Sequence, residues 1–404
     1  MLTYILYSLK RRKAANLITV GISLLLVVLL NLYFGTMHSY ERQLDELAEN
    51  APVYCRVTNK NGSRDSGLFI SENVLDGLLT SDLTADESCA VWLLAGEGKF
   101  TQAEWERSAH LQVCGVNRTE TVDGLSVDKI QFSQQYDESV FTSDRPVCIV
   151  EESEMRKHGW ETGDKIQLTM YYYNASSELF KLEAFPLALV ELEIVGSMES
   201  LMGVTDAVPP DVVLPFEAVR GIYHQQEIPF FADTVSFYVD DPMRLNDFKE
   251  EMKSIGLMER DPTAMDSYIG YTLAVRDGNF VTMATQLRQS IEVMRSFLPI
   301  VCVLTFAIGY IVSYLLGNGR MGEYALLRLQ GMGSVKGTVP FLGEQFILVL
   351  LGNLLGDAFM LFFVEPGVVI RVNGVVLAAY GIGIIMAYWR MGRKSVMGLL
   401  AVSQ

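Results

Sequence analysis

The sequence predicts an α-helical membrane protein with four transmembrane helices and a large α+β extracytoplasmic domain that helical stalks join to the membrane. Three observations predict this fold class: four long apolar stretches, an uneven distribution of charge, and strand-like and helix-like patterns between the first two stretches. Of the 404 residues, 50% are hydrophobic and only 20% are charged, whereas soluble proteins average about 25% charged residues. The composition therefore favours a membrane protein.

Four apolar stretches approach the roughly 20 residues that a helix needs to cross a bilayer. The first follows a basic KRRK run, and no A-x-A-like site follows it, so we interpret it as an uncleaved anchor. Ahead of it, Leu2, Ile5, Leu6 and Leu9 follow helical spacing, which fits either a short helix on the inner membrane surface or an extension of the first span. The stretches are residues 17–34, 297–316, 339–364 and 372–389.

The distribution of charge predicts the orientation. Lysine and arginine cluster in residues 1–16, 317–337 and 390–404, so the positive-inside rule places these segments in the cytoplasm. Residues 17–316 hold 44 acidic and 21 basic residues, and this acidic block falls on the predicted external side. The net charge of −16 also argues against nucleic acid as a partner, because phosphate binding needs a basic surface.

These spans divide the chain into three parts. Residues 1–36 form a cytoplasmic or interfacial helix and the first span, residues 37–295 form the external domain with its stalks, and residues 296–404 form the other spans with a cytoplasmic loop at 317–337. Alternating apolar residues predict half-buried strands in the external domain, which fits one or two α+β subdomains. We predict strands at 52–57, 90–94, 146–150, 165–173, 190–195, 212–214 and 234–239, and helices at 71–79, 151–158 and 244–255.

Both junctions with the membrane carry apolar residues three and four positions apart, the spacing of a seam between packed helices. We expect these helices to form a stalk, although amphipathic core helices of the external domain would give the same pattern. The first seam holds Met37, Tyr40, Leu44 and Leu47, and the second holds Phe280, Met283, Leu287, Ile291, Met294 and Leu298.

Two acidic residues interrupt the third span. Charged groups inside a membrane are costly unless they face other helices or water, so Asp357 is expected to face the bundle with Asn31 or Asn353 as a partner. Glu344 lies near the cytoplasmic end, from which its side chain can reach the interface. Gly352 and Gly356 form a G-x-x-x-G pattern, which lets another helix approach closely.

The sequence lacks the usual signatures of catalysis. The four histidines are scattered, and neither G-x-S-x-G nor the phosphate-binding pattern G-x-x-x-x-G-K-[ST] occurs. We therefore expect no catalytic residue, metal ion or cofactor in this chain. Four external cysteines allow two disulfides in three pairings, or none: Cys55, Cys89, Cys114 and Cys148.

The cytoplasmic loop carries the most specific pattern. It reads RMGEYALLRLQGMG from Arg320 to Gly333, with Glu344 in the next span. This resembles the R-x-x-E-x-x-x-L-R-x-x-G motif of MacB/FtsX-type ABC transporter permeases, whose topology is also similar. The segment from Arg145, ending in Gly159-Trp-Glu-Thr-Gly163-Asp164, resembles the strand, helix and turn of their external domains.

The resemblance implies a permease subunit of the mechanotransmission type in a bacterial cell membrane. A coupling helix would dock on a cytoplasmic ATPase, which binds ATP and Mg²⁺. Hydrolysis of this ATP would move the external domain. Two ATPase chains and a second permease chain, identical or homologous, are the implied partners, besides membrane lipids. The implied role is the export of peptides, antibiotics or lipids, or resistance to them. The coupling role falls on Arg320, Glu323, Leu327, Arg328, Gly331 and Gly333.

Two other classes remain open. The chain could be a membrane-anchored receptor or scaffold, or a regulator of a cell-wall enzyme, that moves no cargo. A membrane-tethered hydrolase is disfavoured because no nucleophile and base pattern occurs.

Overall fold

The computed structural model describes residues 12–97, 110–175, 182–203, 208–261 and 270–393. The amphipathic run from Leu2 to Leu9 and most of the basic tail lie outside these residues. The chain divides into two compact units. We call Met1–Glu49 with Val281–Gln404 the helical unit, and Asn50–Phe280 the sheet unit.

Nine α-helices occur among the described residues. They are α1 Lys13–Asn50, α2 Glu72–Leu79, α3 Glu152–His158, α4 Phe216–Gln225, α5 Leu245–Ser254, α6 Gly278–Asn318, α7 Met321–Leu329, α8 Ser334–Met360 and α9 Pro366–Gly392.

The strands are β1 Tyr54–Asn59, β2 Ile70–Ser71, β3 Thr84–Glu97, β4 Leu111–Val116, β5 Ile130–Phe132, β6 Val147–Glu151, β7 Lys165–Ala175, β8 Leu182–Met198, β9 Val212–Pro215, β10 Phe231–Ala232, β11 Thr234–Val239 and β12 Tyr271–Arg276.

Among the described residues, four helices are long and apolar enough to cross a membrane: α1, α6, α8 and α9. Helices α1, α6 and α9 each contain one predicted apolar stretch in full, whereas the predicted stretch 339–364 extends past Met360, where α8 ends. The close helix approach that the G-x-x-x-G pattern predicts occurs between α8 and α1, because a Cβ at Gly352 would lie 2.7 Å from the carbonyl oxygen of Val20. A Cβ at Gly356 would lie 3.3 Å from that of Leu24. The glycine pair therefore allows α1 and α8 to lie backbone to backbone.

A second close contact joins α6 and α9 of the helical unit. A Cβ at Gly383 would lie 2.5 Å from the carbonyl oxygen of Phe306, and one at Gly309 would lie 2.7 Å from that of Tyr380. Both glycines permit an approach that any larger residue would block. The core of this unit is built around the fully buried Val27, Val376 and Tyr380.

The sheet unit contains a mixed, mostly antiparallel sheet in the order β12-β1-β11-β3-β4-β9-β6-β8-β5, with β7 pairing with β3 and β8. The parallel pairs are β4 with β9 and β6 with β8. Helix α4 packs on the sheet because Gly115 of β4 leaves room for Val219, which would lie 2.7 Å from a Cβ at that position. Residues Asn50–Phe280 form one compact unit, which favours the single-subdomain alternative.

Several predicted elements of the sheet unit match the structure closely. Strand β11 has the predicted bounds, and α2, α3 and α5 each lie within one residue of prediction at both ends. Ser71 directly precedes α2, and its side chain makes no capping hydrogen bond. The sequence interpretation missed β2, β4, β5, β10, β12 and α4.

The four cysteines of the sheet unit are buried free thiols rather than disulfides. Burial raises the pKa of Cys55 and of Cys89 to about 12, and it also raises the pKa of Cys114 and Cys148 above the usual range. These residues therefore act as small apolar side chains of the core.

Candidate functional site

The predicted cytoplasmic loop forms a compact helical turn between α6 and α8. Helix α7 ends where Gly331 adopts a left-handed backbone with φ of +87°, a conformation that favours glycine. The N–H of Gly331 donates to the carbonyl of Arg328 at 3.1 Å, and that of Met332 donates to Leu327 at 3.2 Å. Gly333 then precedes the first turn of α8. The two glycines of the motif thus produce the reversal of the chain.

One side of α7 is buried against the membrane helices. Met321, Tyr324 and Ala325 are at most 3% exposed, and the Tyr324 ring lies edge-on to Phe341 with 6.4 Å between centroids. The Tyr324 hydroxyl donates to the carbonyl oxygen of Ser334 at 3.3 Å. A helix of nine residues is marginal alone, so this packing holds α7 in place.

A chain of alternating charges also fixes α7. Arg320 Nη1 lies 2.6 Å from Glu344 Oε2, and both side chains are below 10% exposed. Arg320 Nε lies 3.2 Å from Glu323 Oε2, and Arg12 Nη2 lies 2.9 Å from Glu323 Oε1. The Arg320 guanidinium also lies over the Phe341 ring, 4.6 Å from its centroid. The four charges link the start of α1, helix α7 and helix α8.

This network changes the interpretation of two predicted residues. Arg320 was assigned to docking, but its burial leaves little of it for a partner to contact. Burial disfavours the charged form of Arg320, yet hydrogen bonds and charge from Glu344 and Glu323 outweigh burial and raise its pKa above the usual value. Glu344 turns inward to Arg320 rather than to the membrane interface. Both residues therefore position α7.

The opposite side of α7 exposes apolar side chains. Leu326 is 62% exposed and Leu329 is 61% exposed. Beyond the turn, Met332 and Val335 are also exposed. We call Leu326, Leu329, Met332 and Val335 the loop apolar face. Of the sequence-predicted residues, Leu327 packs partly on the helical core, Glu323 and Arg328 are half-buried, and Gly331 and Gly333 are exposed.

The sequence interpretation missed the loop apolar face, since among the leucines of α7 it assigned coupling to Leu327 and not to Leu326 or Leu329. A helical period defines two faces but does not show which of them the rest of the protein covers. The available signal was the high density of large apolar residues in a short loop between two apolar spans.

The second acidic residue of α8 has two partners inside the helical unit. Asn373 of α9 donates to Asp357 Oδ2 at 2.7 Å, and Asn31 of α1 donates to Asp357 Oδ1 at 3.4 Å. Asn31 was a predicted partner and Asn373 was not. Asn353, the other predicted partner, is buried. Among the described residues its side-chain nitrogen donates no hydrogen bond and its side-chain oxygen accepts none. Asp357 thus joins three membrane helices.

The stalk residues lie on two long, unbroken helices, α1 with 38 residues and α6 with 41. Within the helical unit, the Tyr33 hydroxyl donates to the carbonyl of Met294, and Arg295 lies 3.5 Å from Glu41. Met37, Tyr40, Leu44, Leu287 and Met294 are half-buried, whereas Leu47, Phe280 and Ile291 are buried.

One predicted seam residue is wrongly placed. Met283 is 49% exposed, and the neighbouring Ala284 is buried in its stead. The buried stripe therefore runs through Phe280, Ala284, Leu287 and Ile291 with spacings of four, three and four, which a helix satisfies as well as the predicted set does.

Comparisons with known proteins leave the family undetermined. No protein-family model and no curated protein matches the sequence. Among solved structures, a domain of a Porphyromonas gingivalis protein described as a permease shares 13% identity with this chain. The match covers 55% of this chain and 87% of that chain, with a TM-score of 0.27. A score this low does not establish a shared fold.

Proposed function

We propose that this chain is the permease subunit of an ATP-driven transporter of the mechanotransmission type in a bacterial cell membrane. The loop apolar face supports the proposal most strongly. It presents two leucines above 60% exposure on a helix that packing and an ion pair hold against α8. Large exposed apolar side chains on a short, fixed helix are typical of a protein contact.

The proposed partner of this face is a cytoplasmic ATPase. Because Arg320 joins Glu344 of α8 at 2.6 Å, a force on α7 would pass directly to a membrane helix. The charge chain also reaches Arg12, just before α1. Movement of α7 would therefore act on α1 and α8 together. Since α1 and α6 continue far beyond their apolar stretches, they would carry the movement outwards.

The remaining partners follow from the same proposal. This chain would contribute one permease to an assembly of two permease and two ATPase chains, with ATP and Mg²⁺ bound by the ATPases. Its two termini would lie in the cytoplasm and the sheet unit outside. Peptides, antibiotics or lipids are the proposed classes of cargo.

Co-purification tests this proposal. A Leu326→Ser, Leu329→Ser double variant removes the centre of the loop apolar face without touching the buried side of α7. The matched control is Leu361→Ser, which changes a leucine of similar exposure, 52%, at the far end of α8. Each protein is purified from its native membrane in mild detergent, and the recovered ATPase is quantified.

We expect the wild type and the control to retain the ATPase, and the double variant to lose at least nine-tenths of it at unchanged membrane abundance. Equal recovery with all three proteins would show that the face does not dock an ATPase. Absence of any ATPase from the wild type would favour a receptor or scaffold.

A further inference from the structure

The sheet unit contains a fork at which one strand changes partner. Along one edge of β3, Ala90 pairs with Thr234 of β11, and Leu93 pairs with Tyr172 of β7. Neither neighbour continues the ladder between these points. Asp233 closes the gap, because its N–H donates to Ala90 at 2.9 Å and its carboxylate Oδ2 accepts the N–H of Trp92 at 2.6 Å.

A small cavity of about 100 Å³ opens at this fork. Aromatic rings form most of its wall, and Asp233 is the single charged residue in it. Tyr172 and Tyr223 lie 5.8 Å apart between ring centroids, and Phe69 and Phe231 lie 6.4 Å apart, each pair edge to face. Phe231 is 38% exposed, so the cavity is accessible from solvent.

One wall depends on an unusual backbone conformation. Phe69 has a φ of +53°, which is rare for a bulky residue. The preceding N–H, that of Leu68, donates to the carbonyl oxygen of Asp233 at 3.2 Å, which ties the segment to the fork. Backbone conformations of this kind concentrate at binding sites, where the surrounding structure maintains them. Here the conformation brings the Phe69 ring against Phe231.

The charge of Asp233 is not neutralised by the residues around it. No lysine or arginine of the described chain lies within ion-pair distance of its carboxylate or over the rings of Trp92, Tyr172 or Tyr223. Its Oδ1 accepts no hydrogen bond from the described residues, and Arg64 acts on it only at longer range. A carboxylate among aromatic faces is a site of negative potential.

We propose that this cavity binds the ammonium or guanidinium group of an organic cation. The carboxylate would supply a charge-assisted hydrogen bond, and the faces of Trp92, Tyr172 and Tyr223 would attract the cation through their quadrupoles. The dimensions admit a charged head group and its first methylene groups. This inference concerns the sheet unit alone and does not rest on the proposed docking of an ATPase.

The protonation of Asp233 gives the site a pH dependence. Burial raises the pKa of Asp233 to about 7, against the smaller opposing effects of the Trp92 N–H and Arg64. The other ionisable groups coupled to it are Tyr173, Tyr223 and Cys114, and burial raises the pKa of each above its usual value. These three side chains stay neutral between pH 5.5 and pH 8, the two values used in the test. Affinity should therefore fall on acidification as Asp233 is protonated.

Calorimetric titration of the full-length chain in detergent tests the proposal. The probes are methylammonium, tetramethylammonium and guanidinium chloride, with sodium chloride at equal ionic strength as the reference. A blocked lysine-containing peptide is a further probe, which distinguishes a peptide side chain from a small free amine as the source of the cation. Binding is measured at pH 8 and again at pH 5.5.

Two variants and one control locate the binding. Asp233→Asn keeps an oxygen acceptor for the Trp92 N–H but removes the charge, and Tyr172→Leu removes one aromatic face. The control is Asp211→Asn, because Asp211 Oδ2 accepts the N–H of Gln112 at 2.7 Å in the same way. Asp211 lies outside the cavity, within 4.8 Å of the acidic atoms of Glu151 and Glu154. It therefore reports binding to acidic surface in general.

We expect at least one organic cation to bind more tightly than sodium, with Asp233→Asn weakening it at least tenfold and Tyr172→Leu about fivefold. The control should bind as the wild type does. The wild-type affinity should fall at pH 5.5, whereas the residual affinity of Asp233→Asn should not. Binding of every organic cation no tighter than sodium, or an equal loss from Asp211→Asn, would overturn the proposal.

Discussion

The buried ion pair between Arg320 and Glu344 should be strongly coupled, because neither side chain can exchange its partner for water. The two atoms lie 2.6 Å apart, and the side chains are 8% and 4% exposed. Removal of one partner from such a pair costs about 3–5 kcal/mol. Arg320 keeps Glu323 at 3.2 Å and the Phe341 ring, so we expect Glu344→Gln to cost about 2–3 kcal/mol.

A double-mutant cycle with Arg320→Gln, Glu344→Gln and the combined variant isolates the pairwise contribution. Unfolding of the full chain is followed by titration of mixed micelles with a denaturing detergent. The combined variant should recover about 2 kcal/mol relative to the sum of the single variants, because it leaves no buried unpaired charge.

The exposed pair of Arg42 and Glu365 is a matched control, since its atoms lie 3.3 Å apart but its side chains are 63% and 55% exposed. Such surface pairs contribute little to stability, because water screens both charges. A coupling energy for Arg320 and Glu344 no larger than that of the control would refute the view that this pair holds α7 on α8.

Two further predictions concern the glycine contact and the fork. Gly352→Ala should destabilise the chain by about 1–3 kcal/mol in the same titration, because its Cβ would press on the backbone of α1. The control Gly322→Ala should not destabilise the chain, because open space surrounds that position. Equal stability of the two variants would contradict the close packing. Asp233→Asn should raise the thermal stability at pH 8 but not at pH 4. Burial raises the pKa of Asp233 from 3.8 to about 7, so its charged form disfavours folding increasingly as the pH rises through this range. The full pKa shift corresponds to a loss of up to about 4 kcal/mol in the free energy of unfolding, and we expect about 2 kcal/mol after allowance for the partial exposure of Asp233. A gain of equal size at both pH values would show that charge is not the cause.

Local pattern was enough to predict the membrane helices and most of the longer strands. A run of about 20 apolar residues has few other interpretations, and alternation marked β7 and part of β8. Strand β4 was missed, and it shows no alternation because five of its six residues are buried, although the fully buried β6 and β9 were predicted as short apolar runs. Gly115 within it weakened the strand pattern further, although this glycine is what admits Val219 of α4.

The candidate site was predictable in position but not in geometry. Glu344 and Asp357 were recognisable as costly charges, yet their partners Arg320 and Asn373 depend on how the helices pack. Arg320 precedes Glu344 by 24 positions, and only the fold of α7 against α8 brings them together. The aromatic cavity at the fork was not recognisable, because its residues come from three strands, helix α4 and the adjoining loops, and they follow no spacing along the chain.

Native mass measurement of the intact assembly tests the central claim most directly. The chain is purified from its native membrane in mild detergent, with ATP and Mg²⁺ present, and the mass and composition of the complex are determined. We predict two copies of an ATPase bound to two permease chains, of which at least one is this chain. Recovery of this chain without an ATPase, from membranes in which such ATPases are expressed, would contradict the proposed function.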